Sequence, residues 1–500
     1  MRAASAYTIS SWVFLRLLGV VYGVAFWSLD AQIPGLVGSG GILPAAETMA
    51  DAARWSRELG AVDRLIQWPT VFWLGTGDAW LTGACRAGIL LSIPLIAGVG
   101  SVFVLPLLWM LYLSLATVTG DFLAFQWDSL LLESGLLAIA FVPWKTVERP
   151  GQDAPAPLAR ALLWWLLFRL MFASGVVKLT SGDPMWRALT AMSVHYETQP
   201  LPTPIGWFAH HLPAWFNEAS TFGVLAIELL LPWCILWRGT PRRMAAVGFV
   251  ALQAGIALTG NYAFFNLLSA ALALTLLDDE TWRRVVPEQW LHRADDRDEP
   301  PTHLQQDGPR VAAVLLAFLV VPVSAEIVAS QLRITLPGSH WARELRGELL
   351  PLRSINAYGL FAVITPTRPE IALEGSRDGV SWRRYPFKYK PDALTARPRW
   401  VAPYQPRLDW QMWFAALGEP DESPWFDRFC RRLLEGSTPV LALLEDNPFP
   451  EGPPTQIRAT RARYQIASLR EWRTTATWWT RGPETAYGSG CAVPDGREHR

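Results

Sequence analysis

Several ionisable side chains fall where hydrocarbon should surround them. Arg169 and Lys178 lie in the apolar stretch 158–179, Glu133 in 126–143 and Glu228 in 219–237. A charge at mid-bilayer depth costs at least about 2.5–3.5 kcal/mol on insertion scales, so each needs a partner or a wet cavity. Arg169 is near the middle of its stretch. It is expected to form an intramembrane polar pair with Glu228, with Gln253 as a further mid-span polar group. Such a pair can hold two helices together without doing chemistry. Lys178 stands at the outer end of the same stretch. Two readings are open: its amine snorkels to the interface, or desolvation lowers its pKa and makes it a base. His195 and Glu197 follow on the loop beyond. A histidine changes charge near neutral pH, so His195 or Glu133 could orient a substrate for a Lys178 base. The bland alternative is a hydrogen-bonded loop pair. Asp128 and Glu133 are five residues apart and do not share one helix face, so a paired-carboxylate mechanism is not implied.

Asp128, Glu133, Lys178, Asp183, His195, Glu197 and Asn261 all fall toward the same end of their segments. That gathering predicts a polar cavity open to the exterior. Prolines at 200, 202 and 204 stiffen the loop beside it. Other chemistries find no support. There is no Gly-x-Ser-x-Gly elbow, no phosphate-binding glycine loop and no His-Glu-x-x-His. The four Cys show no zinc or Cys-x-x-Cys spacing, so neither a metal nor a cofactor is expected. Cys430 and Cys491 could pair in an oxidising compartment or stay as thiols.

The elements that hold these residues are apolar blocks of bilayer-crossing length. Apolar residues make up 51% of the 500-residue chain and charged ones 18%, below the roughly 25% of soluble domains. The 27 Trp suit membrane–water interfaces. Zero net charge and no basic patch exclude nucleic acid as a partner. Candidate spans are 11–29, 79–98, 101–119, 126–143, 158–179, 219–237, 243–260, 263–277 and 310–330, about nine transmembrane helices. The first is expected to be a retained span, because Arg16 interrupts it and no small-x-small cleavage site follows Leu29. With the N-terminus in the cytoplasm, inside connections carry 12 Lys and Arg and outside connections 4. This bias predicts nine crossings with the C-terminus outside. The polar stretch 291–309 reads as a linker.

Beyond residue 330 the pattern changes. Segment 358–390 alternates as strands do, through Leu360, Ala362 and Ile364, then Ile371 and Leu373, then Trp382, Tyr385, Phe387 and Tyr389. Ser376-Arg-Asp-Gly379 between two of these runs signals a hairpin. Residues 424–446 carry a helical period, and 456–467 with 472–480 read as another strand pair. The chain is therefore divided into a helical membrane domain, 1–330, and a β-rich extracytoplasmic module, 331–500. Tyr404, Trp410, Trp413 and Trp425 are client-contact candidates on that module, unless they belong to its core.

Several stretches together resemble the lipase maturation factor family over nearly the whole chain. They are Trp12 to Gly19, Gln32-Ile-Pro-Gly through Pro44, Phe125-Gln-Trp-Asp through Glu133, Ser174 to Trp186, His195 to Pro204, Leu258 to Asn266, Glu374 to Gly379 and Arg407-Leu-Asp-Trp-Gln-Met-Trp-Phe414. The resemblance implies a polytopic membrane protein that helps secreted lipases, or related secreted clients, reach an active assembled state. It implies a chaperone-like folding factor more than an enzyme, with the lipid bilayer and the client as partners. In animal relatives the site is the endoplasmic reticulum, with the C-terminal module in the lumen. The excess of 40 Arg over 4 Lys and the absence of Asn-x-Ser/Thr sequons point to a bacterial inner membrane for this chain. A shorter likeness touches the membrane half. Gly175-Val-Val-Lys178-Leu is similar to a Gly-Val-Lys-Lys-Leu stretch of the vitamin K-dependent γ-carboxylase group, whose second lysine is the base that deprotonates vitamin K hydroquinone. That likeness implies a rival activity, a membrane enzyme acting on a lipid or quinone with Lys178 as base.

Overall fold

The computed structural model describes residues 7–287, 303–488 and 491–492. Each apolar block forms a helix. They are α1 Thr8–Asp30, α2 Asp78–Ala97, α3 Ser101–Thr119, α4 Gln126–Phe141, α5 Pro157–Thr180, α7 Ala214–Cys234, α8 Thr240–Thr259, α9 Phe265–Leu274 and α10 His303–Gln331, with the short α6 Ala191–Thr198 on the connection after α5. Among the described residues, six helical stretches are long and apolar enough to cross a bilayer: α1, α2, Ser101–Leu123, α5, α7 and Asp307–Gln331. The other three fill expected spans without that quality alone. At about 1.5 Å per residue, α4 with 16 residues and α9 with 10 fall short of a bilayer core of about 30 Å. Helix α8 is long enough but carries Arg242, Arg243 and Gln253. The expected linker 291–309 lies largely outside the described residues, and its final part, from His303, belongs to α10.

Helix α4 is the centre of the bundle. It packs against α3, α5 and α10 and also touches α1 and α9. Its residues are buried on nearly every side, Asp128 and Glu133 included. A short central helix can carry carboxylates because protein, not lipid, surrounds them.

The C-terminal part is a small antiparallel sheet flanked by helices. Strands β1 Arg368–Ser376, β2 Trp382–Arg384, β3 Gln456–Ile466 and β4 Trp479–Ala486 stand in the order β2-β1-β3-β4, and β5 Cys491–Ala492 pairs with β3. The hairpin falls at the expected turn. Asp378 accepts the N–H groups of Val380 and Ser381, and Gly379 takes a left-handed φ of +73°. Those N–H groups hold the Asp378 carboxyl well below the usual range. Helices α11 Arg407–Leu417 and α12 Pro424–Leu434 cover the sheet, α12 through Phe426, Phe429 and Leu433.

Two strand expectations are corrected. Residues 354–367 form no strand. They run as a strap over the bundle, where Gly359 lies so close to α5 that a Cβ would stand 2.6 Å from Val177. Residues 472–480 are not one strand, because α13 Leu469–Thr475 comes first. It is started by a capping box in which Ser468 and Glu471 satisfy each other's backbone N–H. One continuous apolar core runs from the bundle into the module, through Trp127, Tyr358, Trp410 and Trp425.

Candidate functional site

The seven polar residues expected to line an open outer cavity do not line a common cavity. Five of them bind the C-terminal module directly. Asp128 on α4 receives both terminal nitrogens of Arg407 at 3.0 and 2.9 Å, and the two side chains are fully buried. The same guanidinium bonds the carbonyl of Phe122. Glu133 accepts the N–H of Asn356 at 3.0 Å and the hydroxyl of Tyr358 at 2.7 Å. Asp183 caps Met185 with one oxygen and takes the N–H of Ile364 at 2.7 Å with the other. Glu197 takes the N–H of Ile466 at 2.9 Å. Asn261 donates to the carbonyl of Arg399 at 2.9 Å and accepts from Val401 at 2.7 Å and Ala402 at 3.0 Å. The outer polar ring is a seam, and the module occupies the space expected to be water.

The intramembrane pair is also corrected. Arg169 pairs with Glu133, not Glu228, and donates to the carbonyl of Asn356 at 3.2 Å. Glu228 instead holds Lys178, with both carboxylate oxygens at 2.8–2.9 Å from Nζ. The two cations are nine residues apart on α5, a rise of about 13 Å, so one carboxylate cannot serve both. α4 supplies an anion at the depth of Arg169 and α7 supplies one near the outer end.

Lys178 therefore neither snorkels nor stands free. It and Glu228 form part of the wall of a mostly apolar cavity of about 80 Å³ together with Trp186, His195, Tyr262 and Phe361. Nε2 of His195 stands 3.2 Å from the Tyr262 hydroxyl, which donates to Gln199 at 2.9 Å. Burial first, and the Lys178 charge second, push the His195 pKa down to about 4. His195 is thus neutral at pH 7 and makes no contact with Glu133. Lys178, His195 and Glu133 are not assembled as one catalytic group: Glu133 belongs to the Arg169 cluster. Among the described residues, no group of three His, Cys, Asp or Glu is placed to hold a metal ion.

The client-contact candidates are corrected as well. Trp410, Trp413 and Trp425 are 3–5% exposed. Trp410 packs on Trp127 at 4.7 Å, and Trp413 donates to the carbonyl of Thr198 at 3.0 Å. Tyr404 is half-buried against Trp27. All four are built into the module or its seam.

The residues that complete the seam were not singled out for this role in the sequence. Gln32 donates to Gln405 at 2.7 Å and accepts from the N–H of Arg407 at 2.9 Å. Arg368, fully buried, donates to the carbonyls of Glu197, Gln199 and Pro200. Trp207 donates to Trp478 at 2.8 Å. Gly35 lies against the module so closely that a Cβ would stand 2.3 Å from the carbonyl oxygen of Pro439. A glutamine after an apolar span, or a lone arginine before a tryptophan-rich helix, says nothing by itself about a partner hundreds of residues away. Gln32, Gly35 and Arg407 fell in the family-like stretches Gln32–Pro44 and Arg407–Phe414, whereas Trp207 and Arg368 fell in none.

Comparison with known proteins covers both halves. A family model described as the lipase maturation factor transmembrane domain matches residues 9–284, and one described as the lipase maturation factor C-terminal domain matches residues 354–489. Lipase maturation factor 2 of Rattus norvegicus is 36% identical over 583 aligned residues, covering 94% of this chain and 81% of that protein. Lipase maturation factor 2 of Homo sapiens is 36% identical, covering 94% and 80%. Lipase maturation factor 1 of Homo sapiens is 32% identical, covering 95% and 86%. No solved structure matches.

Proposed function

The chain belongs to the lipase maturation factor family, and from that premise we propose that it is a membrane-anchored maturation factor for secreted lipases or related exported clients. The observation that carries the reading is the seam. A buried ion pair and backbone hydrogen bonds fix the C-terminal module in one orientation on one end of the bundle. A module held this way presents the same face to anything passing the membrane surface. Exported enzymes expose apolar surface before they are fully assembled, and a fixed neighbouring surface can shield it.

The proposal places the module, 331–500, outside the cytoplasm and the N-terminus of the bundle, 1–330, inside, in a bacterial inner membrane or, in a eukaryote, the endoplasmic reticulum membrane. The basic connections support this orientation. Arg242 bonds Tyr7, Arg160 lies over the Tyr7 ring, and Arg243 pairs with Asp278. The start of α1 and the connections before α5, before α8 and after α9 thus share one end of the bundle. The module sits on the ends of α1 and α4 that carry Gln32 and Asp128.

The test is co-expression of an exported lipase with and without this protein, measuring lipase activity per unit of lipase antigen. Higher specific activity with the protein is expected; equal values would contradict the proposal. A reporter enzyme fused after Arg500 should be active only outside the cytoplasm.

A further inference from the structure

An open groove of about 360 Å³ lies where the 3-10 turn Gly120–Leu123, leading into α4, meets the end of α11. Its apolar lining is Phe125, Phe414, Ala124 and Trp425, with Phe414 and Ala124 exposed and Phe125 and Trp425 buried beneath them. Phe414 is 46% exposed, and Leu417, one turn on, is 40% exposed. Both are unusual on α11, whose other large side chains are buried. Beneath them the support is rigid: Phe125 stacks on Trp127 at 4.7 Å, Trp127 meets Trp410 at 4.7 Å, and Trp425 meets Phe122 at 5.8 Å.

The rim is acidic. Asp121 and Glu422 line the groove, Asp421 is adjacent, and all three are exposed. Glu419 beside them is neutralised by Arg461 at 3.0 Å. Among the described residues, no cation lies within ion-pair distance of Asp121, Asp421 or Glu422. The field is felt nearby: the Tyr487 pKa is pushed up to about 12, by burial first and by Glu419, Glu422 and Asp421 against the opposing Arg461. An apolar floor inside an uncompensated acidic rim repels an anionic surface and suits an apolar segment bearing cations.

We propose that this groove receives a basic amphipathic segment of the client, one that sets Phe or Leu side chains on Phe414 and Phe125 and Lys or Arg against Asp121, Asp421 and Glu422. The inference rests on the reading of the chain as a maturation factor and names the chemistry its client must show.

The test uses the full chain in phosphatidylcholine nanodiscs, with empty nanodiscs as control. The probes are a fluorescent amphipathic peptide of about 18 residues built from Leu, Phe and Lys, and its twin with Glu for every Lys. The Lys peptide should bind and the Glu peptide should bind roughly tenfold more weakly, as several exposed charge contacts allow. Reversal of the rim by Asp121→Lys, Asp421→Lys and Glu422→Lys together should invert that order. Phe414→Ala should weaken both peptides. The rim side chains are exposed, and an unchanged melting curve would show that the reversed protein is folded; if it is not, the neutral set Asp121→Asn, Asp421→Asn and Glu422→Gln replaces it and should erase the preference. Equal binding of the Lys peptide by wild-type and altered rims would overturn the proposal. So would a wild-type dimer that the reversal dissolves with peptide binding unchanged, which would assign the groove to a second copy. The lipase co-expression assay separates the two claims. If wild-type protein raises lipase activity and the reversed protein does so equally, the groove proposal fails alone. If wild-type protein raises no lipase activity while the peptide preference still inverts, the maturation reading fails and the groove stands.

Discussion

Asp128→Asn should undock the C-terminal module without unfolding either half. In the docked state Arg407 is fully buried and, among the described residues, its only carboxylate partner is Asp128, with both terminal nitrogens committed to it. The substitution is nearly isosteric, so packing is retained and the loss is charge. A buried guanidinium without its counter-charge costs about 3–5 kcal/mol. In the undocked state both groups return to water and the substitution costs little. At about 1.4 kcal/mol per tenfold, the undocked population should rise by roughly two to three and a half orders of magnitude. Limited proteolysis reads that population when opening and closing outpace cleavage. The strap at 354–367 is the natural reporter, because undocking frees it from Glu133, Asp183 and Val177. A paired replacement, Asp128→Leu with Arg407→Met, should recover most of the loss, since apolar groups leave no orphaned charge in the seam. A strap-cleavage rate in Asp128→Asn within about threefold of wild type would refute the reasoning. So would a double variant whose cleavage is accelerated by the product of the two single effects, because the coupling between the two sites would then be absent.

Glu133→Gln should be worse for assembly than for docking, since it strands Arg169 inside the bundle; membrane-inserted yield should drop several-fold, and Glu133→Leu with Arg169→Leu should restore it. Lys178→Ala should destabilise by leaving Glu228 buried alone, while Lys178→Met with Glu228→Leu should fold and still support lipase maturation; a folded double variant with no such activity would contradict a purely structural role for the pair. His195 has a folded pKa of about 4, below its unfolded value of about 6.5, so the unfolded chain binds the proton that the folded chain refuses. Stability should therefore fall as pH drops from about 6.5 to about 4, by at most about 1.4 kcal/mol per unit from this group, and be flat above that window. His195→Gln should remove that part of the slope in melting curves taken at pH 6.5 and 4.5; an unchanged slope would refute it.

The helices were legible because burial in lipid and burial in protein demand the same thing of a helix: all nine apolar blocks are helical, and six helical stretches are long and apolar enough to cross a bilayer among the described residues. What hydropathy does not carry is neighbourhood. Glu228 reads as the mid-span carboxylate and Glu133 as one nearer the outer end, yet the central place of α4 brings Glu133 to Arg169. The strap was misread for a physical reason: Leu360, Ala362 and Ile364 alternate in the sequence, yet the strap lies on the bundle and is not hydrogen-bonded into a sheet. The start of α13 was legible and overlooked, since Ser468-x-x-Glu471 is a capping signature. The outer gathering of Asp128, Asp183, Glu197 and Asn261 was read from position alone. Their partners, Arg407, Ile364, Ile466 and Val401, lie 140 to 279 residues away. Three of those four partners offer backbone N–H groups, which leave no trace in residue type.

Why the seam is polar follows from what it must specify. Apolar surface alone would hold the module about as firmly, since buried charge pairs often gain little net stability over apolar packing. Apolar surface also tolerates sliding, whereas a carboxylate that takes one particular backbone N–H loses its partner when the interface shifts by one residue. Asp183 on Ile364, Glu197 on Ile466 and Asn261 on Val401 and Ala402 pin three separate segments of the module to two connections of the bundle, α5 to α7 and α8 to α9. Asp128 with Arg407 adds a fourth fixed point at the start of α11. Four such points determine position and rotation together. The groove beside Phe414 has one wall from the turn before α4 and one from α11, so its width depends on this register. A change that loosens the seam should therefore widen the groove and weaken peptide binding there even when no groove residue is touched. Asp128→Asn tests this directly: an undisturbed Lys-peptide affinity in a protein whose strap is cleaved a hundredfold faster would separate the groove from the seam.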